Sequence, residues 1–239
     1  MGPFQAVLFD MDGLIFDSER LCYRAYLRAA RAFGFQMNPA LYMHLCGRIE
    51  HEVVAELRHA FGEDKDVTTW REYIKKQKTA VRMEQNGRVG KKKGLLELLN
   101  YLQERKIPYA LASSTVRPLI DEYMEAEYLS HAFPYIMDGS QVKNGKPDPE
   151  IFLKAAALID ADPAHTLVLE DSHAGIRAAN AGGFTSGFVF DDLTNMDSVT
   201  EGYPILDQPE GNRENIRRDA VLSFDSLADV VGFLEVLRS

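Results

Sequence analysis

The stretch FQAVLFDMDGLIFDSE, residues 4–19, decides the fold. Its first six residues form an apolar run that stops at Asp10. A short continuous run bounded by charge predicts a parallel strand buried on both faces. Asp10 and Asp12 then stand two apart, so extended backbone turns both carboxylates to one side. In open parallel sheets, ligands bind beyond the carboxyl ends of strands, which is where this pair falls. Gly13 allows a tight turn that keeps Asp12 close to Asp10.

Outward from this stretch, similar runs recur at 108–112, 135–137, 166–169 and 185–190. Helical patterns separate them, at 94–105, 118–129, 149–159 and 174–181. Strands alternating with helices predict an α/β domain on a mostly parallel sheet. Asp148 is expected to cap a helix beginning at Pro149, and Gly182-Gly183 to end the helix before it.

Residues 18–84 break the alternation, because no strand pattern occurs there. Asn38-Pro39 marks a helix start, and Val53, Val54, Leu57 and Phe61 share one helical face. Thr69 and Glu72 have capping-box spacing ahead of a basic helix. Its Arg71, Lys75, Lys76, Lys78 and Arg82 are expected to form a solvated face. The reading is a Rossmann-like core, 1–17 and 85–239, interrupted by an all-helical cap, 18–84, with hinges near 16–18 and 85–90. Residues 191–219 are turn-rich, acidic and without periodicity, a long loop expected to cover the site edge or a partner surface. A closing helix is expected over 224–237.

Composition sets the class. The chain has 239 residues, is 46 % hydrophobic and carries a formal charge of −9. That size supports a core without staples, and Cys22 and Cys46 make no disulfide framework. The acidic balance argues against nucleic acid or an anionic membrane as partner. No apolar stretch reaches transmembrane length and no leader pattern is present, so the expected location is cytoplasmic.

Glu170-Asp171 form a second acidic pair at another strand end. If that strand neighbours the first, four carboxylates converge, and a hard cation such as Mg²⁺ suits them. Ser113-Ser114-Thr115 close a third run, where hydroxyls and free N–H groups can cradle an anion. Lys146, in GKPDP, offers a point charge for phosphate.

Together FDMDGLIFDSE, ASSTVR, NGKPDPEIF and VLEDSHAGIRAANAGG resemble, in order and spacing, the haloacid dehalogenase-like phosphohydrolases. The nearer resemblance is to the helical-cap subgroup that includes phosphatases and β-phosphoglucomutase. The resemblance implies an aspartyl-phosphate on Asp10, with Asp12 as general acid and then base. Ser113 would bond the phosphoryl oxygens and Lys146 balance their charge. Asp10, the backbone carbonyl of Asp12 and Asp171 would hold Mg²⁺, with Glu170 reaching the metal shell through water. Ser114 and the cap residue Arg48 are the expected substrate contacts. Arg48 could instead pair with Glu50 or Glu52, and His173 could touch the site.

The mutase's cap His and Lys correspond here to Cys22 and Cys46, which weakens a phosphotransferase reading. The absence of lysine between Ser18 and Ala60 opposes Schiff-base phosphonate chemistry. The expected activity is therefore Mg²⁺-dependent hydrolysis of a small phosphorylated metabolite, a sugar or polyol phosphate, by a monomer or weak homodimer. A β-phosphoglucomutase-like phosphotransferase is the alternative.

Overall fold

The computed structural model describes residues 4–46, 48–190 and 216–237. Six parallel strands form one sheet: β1 (Ala6–Phe9), β2 (Tyr109–Ser113), β3 (Ile136–Asp138), β4 (Thr166–Glu170), β5 (Thr185–Val189) and β6 (Leu222–Phe224). Their order is β3-β2-β1-β4-β5-β6, so the chain reverses its direction of travel at β1. That reversal opens a crevice at the ends of β1 and β4. Register aligns Phe9 with Leu169, which sets Asp10 beside Glu170 one step further on.

Both sheet faces are covered, which is why the strands read as unbroken apolar runs. Phe9, Leu111, Leu167 and Leu169 pack with α5 (Leu95–Glu104), α6 (Arg117–Ala126) and α9 (Leu227–Val236). Leu8, Ala110, Ala112 and Val168 face α7 (Glu150–Leu158) and α8 (His173–Ala181). Each fully buried Leu or Phe contributes about 1.5–3 kcal/mol, so this double layer is the main anchor of the site.

Between β1 and β2 lie four helices: α1 (Ser18–Phe33), α2 (Pro39–Leu45), α3 (Glu50–Phe61) and α4 (Val67–Glu84). Among the described residues this insertion contains no strand. It has its own core, in which Tyr26, Tyr42, Leu57, Trp70 and Ile74 meet. Phe35 stacks on Trp70 at 4.3 Å between centroids. The two connections to the sheet domain run side by side. Asp17 N–H donates to Gly90 O at 3.0 Å, Lys92 N–H to Ile15 O at 2.9 Å, and Phe16 bridges Lys91 in antiparallel sense.

Several local expectations shift. The capping box at Thr69 and Glu72 does not form, because α4 begins at Val67. Asp66 is its cap, accepting from the backbone N–H and the hydroxyl of Thr69. Pro149 is the N-cap of α7 rather than its first residue, while Asp148 still accepts from Glu150 N–H at 2.9 Å. The last helix starts at Leu227, since Leu222–Phe224 pair with β5. Ser223 interrupts the apolar run of this short strand, so it is not read as one. Most of the acidic segment 191–219 lies outside the described residues. At its end Ile216 packs with Ile176 and Phe188.

Candidate active site

Three of the four expected carboxylates converge; the Asp12 carboxylate is not among them. Asp10, Glu170 and Asp171 each offer an oxygen within 4.8 Å of the others'. Lys146, with a fully buried ammonium, lies between the first two. It bonds Asp10 Oδ1 and Glu170 Oε1, the latter at 2.6 Å. Burial would lower the Lys146 pKa, but Asp10 and Glu170 outweigh it and hold the ammonium above its ordinary value. Burial lifts the Asp10 carboxyl well above its usual range; Lys146 opposes this, and Glu170 and Asp12 reinforce it.

Glu170 spends its second oxygen on the loop behind it. Oε2 accepts from Asp171 N–H at 3.0 Å and from the backbone and hydroxyl of Ser172, both at 2.9 Å. One buried carboxylate thus orients both Lys146 and the turn that carries Asp171. Ser172 then caps α8 through Gly175 N–H.

Asp12 is held by two hydroxyls. Ser18 donates to Oδ1 at 2.8 Å and Thr115 to Oδ2 at 2.7 Å. Gly13 has φ +80°, and a Cβ there would stand 2.1 Å from Asp171 Oδ2. Only glycine permits that approach without displacing the second acidic pair. Ser113 is buried at the end of β2, and its hydroxyl accepts from Thr115 N–H at 3.1 Å.

A cavity of about 510 Å³ opens above these groups. The sheet domain supplies Asp10, Asp12, Ser114, Thr115 and Asp171 to its floor. The helical insertion supplies Arg48, Arg71, Lys75, Lys78 and Arg82 to its walls. The basic face of α4 is therefore not simply solvated. Arg71 and Arg82 are buried, because packing of α4 on α1 turns them inward. Arg71 pairs with Glu50 at 2.8 Å, and Arg82 with Glu122. Arg48 lines the cavity and pairs with Glu56 at 3.4 Å, not with Glu50 or Glu52. His173 pairs with Asp219 at 2.7 Å and is absent from the cavity lining.

Sequence reasoning missed the two hydroxyls on Asp12 and the carboxylate of Glu19. Glu19 is buried in the cavity wall, accepting from Tyr42 OH and, at 3.1 Å, from Cys46 Sγ. Cys46 lines the same cavity. Ser18 and Thr115 could have been found from their adjacency to the acidic and hydroxyl motifs. Glu19 needed the fold of α2 over α1.

The profile of the haloacid dehalogenase-like hydrolases matches residues 7–189, and the chain belongs to this family. It is a hydrolase, built on a parallel Rossmann-like core with an inserted helical cap. It is 32 % identical over 179 residues to the phosphorylated carbohydrates phosphatase of Thermotoga maritima, covering 75 % of this chain and 82 % of that protein. Against β-phosphoglucomutase of Bacillus subtilis it is 28 % identical over 187 residues, 75 % and 80 % of the two chains. The crystal structure of β-phosphoglucomutase from Clostridium difficile superposes with a TM-score of 0.74, covering 98 % and 96 %, at 23 % identity. That likeness concerns the fold. Among the described residues, no helix is long and apolar enough to cross a membrane.

Proposed function

We propose that the chain is a Mg²⁺-dependent phosphatase of small phosphorylated metabolites, most specifically sugar or polyol phosphates, acting through an aspartyl-phosphate on Asp10. The observation that carries this reading is the sharing of one buried ammonium, Lys146, between Asp10 and Glu170 beneath a cavity roofed by cations. The likeness to a phosphatase of phosphorylated carbohydrates supports the substrate class. The division into a core of 1–17 and 85–239 and a cap of 18–84 belongs to the same proposal.

The donor set fits the metal. Three carboxylate oxygens within 4.8 Å of one another are hard ligands, and the space a Cβ at Gly13 would fill keeps Asp171 close. Asp10, Asp171 and the backbone carbonyl of Asp12 would hold Mg²⁺, with Glu170 behind them. When bound, it supplies charge neutralisation for the phosphoryl oxygens.

The chain's own residues do the rest. Asp10 attacks phosphorus as the ester P–O bond breaks, and Asp12 gives its proton to the departing oxygen. Asp12 then takes a proton from water, whose oxygen attacks phosphorus and frees Asp10 and inorganic phosphate. Ser18 and Thr115 keep Asp12 in one orientation through both proton transfers. The Ser113 hydroxyl, its oxygen occupied by Thr115 N–H, turns its proton toward a phosphoryl oxygen. Lys146 offsets the negative charge that accumulates there.

Phosphate release from a panel of phosphorylated metabolites, with Mg²⁺ and with excess chelator, tests the reading. Release that chelation abolishes and Mg²⁺ restores is expected. No release from any ester with Mg²⁺ present removes it. Phosphotransfer, as in the Bacillus relative, is the second reading; conversion of β-glucose 1-phosphate with a bisphosphate primer into glucose 6-phosphate, without net phosphate release, would establish it instead.

A further inference from the structure

A buried acid far from the carboxylate cluster in sequence has no part in the chemistry above. Glu127 caps the C-terminal end of α6, and its side chain is fully buried. Oε1 accepts from Arg88 Nε, Val89 N–H and Gly90 N–H, each at 2.9 Å. Oε2 accepts from Arg88 Nη2 at 2.7 Å and Lys91 Nζ at 3.2 Å. Lys91 also reaches the backbone oxygen of Glu127 at 3.0 Å. Every residue from 88 to 91, the return path from the helical insertion to the sheet, is thus fastened to one carboxylate.

The fastening has a sharp edge. Immediately before it, Asn86 and Gly87 adopt positive φ, 56° and 76°. Their turn closes α4 through Gly87 N–H on Arg82 O at 3.0 Å. No side chain of the sheet domain is bonded to residues 85–87 among the described contacts. Residues 88–91, by contrast, cannot move unless a buried carboxylate gives up charged partners, which is costly. Helix α6 is also close to the chemistry. Thr115, just before it, holds Asp12, and Tyr123 within it lines the cavity under the Arg82 guanidinium, 5.4 Å from its ring centroid.

We propose that Glu127 is a positioning residue: by clamping residues 88–91 to α6 it confines the cap's pivot to residues 85–87, and so fixes where the cations of α4 meet the cavity. The clamp follows from the geometry alone; its effect on turnover rests on the phosphatase reading. Hinges are a few residues that absorb backbone rotation, and a firm seat beside them keeps closure to one path. Loosening the seat lengthens the hinge and populates poorly closed forms, to which a substrate held by the cap is more sensitive than a minimal ester.

Limited trypsin digestion of the full-length protein under native conditions tests the clamp directly, because the linker carries Arg88, Lys91, Lys92 and Lys93. For Glu127→Gln, cleavage between 88 and 93 is expected to accelerate by roughly tenfold or more, in step with the open population. On the kinetic side, kcat/KM for the best sugar phosphate should fall about tenfold, and that for an aryl phosphate less than about twofold. An unchanged cleavage rate, or equal kinetic losses on both esters, overturns the proposal. If Glu127→Gln does not fold, Arg88→Leu leaves α6 intact, and its cleavage at Lys91 is judged by the same two outcomes. Faster cleavage of the variant, with no release by the unaltered protein from any ester of the panel, keeps the clamp and removes the phosphatase reading.

Discussion

The floor and the roof of the cavity are built on opposite plans. In the floor, Asp10 follows β1 and Glu170 ends its neighbour β4, so one strand register brings their carboxylates together. In the roof, Arg71, Lys75 and Lys78 come from α4 and Arg48 from the turn before α3, and they converge only after the insertion has packed on its own core. The floor groups hold one another: Lys146 binds two acids and Asp12 two hydroxyls. Several roof cations are balanced within the insertion, Arg71 and Lys75 by Glu50 and Arg48 by Glu56. Chemistry that tolerates no misplacement sits where the backbone sets position. On the proposed function, recognition sits where side chains can be exchanged.

The comparison breaks first if the floor is not where the bond is cleaved. Asp10→Asn should lower phosphate release by roughly 10⁴-fold or more, because an amide cannot form the acyl-phosphate. Circular dichroism should show the native fold. Near-normal turnover would move the nucleophile elsewhere. Asp12→Asn comes next, with a loss of about 10²–10⁴-fold. In that variant, burst-phase formation of the aspartyl-phosphate should suffer less with an activated aryl ester than with an alkyl one. Equal losses on the two would deny Asp12 the acid role.

Roof substitutions should be smaller and selective. Arg48→Ala should reduce kcat/KM for the best sugar phosphate by about tenfold, the worth of one good polar contact, and leave an aryl phosphate within about twofold. A uniform loss would make Arg48 a structural partner of Glu56 alone. The smallest effect expected is on acid stability. Burial would raise the Glu50 carboxyl, but Arg71 and Lys75 outweigh it and bring it down to about 2. A folded pKa below the unfolded one stabilises above the unfolded value, near 4.5, and that stability fades as pH falls toward about 2. Because Glu50 is half-exposed, the contribution is modest. Glu50→Gln should lower Tm at pH 7 by no more than about 3 °C and shrink the difference from wild type below pH 4. A difference that persists at low pH would assign the effect to packing.

The same contrast explains what could be read in advance. The buried strands, the two acidic pairs and Lys146 were legible because strand ends are local and parallel sheets place them together. The helical nature of the insertion was legible too, from Val53, Leu57 and the absence of strand patterns. The inward turn of Arg71, Lys78 and Arg82 was not. A basic helix in water and one over an anionic site share the same periodicity, and only the packing of α4 on α1 separates them. β6 escaped because Ser223 breaks its apolar run, whereas the equally short β3 follows the unbroken run 135–137. Glu127 escaped because nothing in a lone glutamate announces five donors from a distant linker.

The paired connections at residues 15–17 and 90–92 have a consequence for how such enzymes can be remade. Entry and exit of the insertion are stitched to each other at Phe16 and Lys91, so the opening in the sheet domain is one bridge wide. Sixty-odd residues can therefore be lifted out, or replaced by a different helical module, without altering the span the remaining chain must close. The sheet domain behaves as a socket and the cap as a cartridge. A lineage could trade substrates by exchanging the cartridge beyond Ser18 while Asp10, Asp12, Lys146 and Asp171 stay in place.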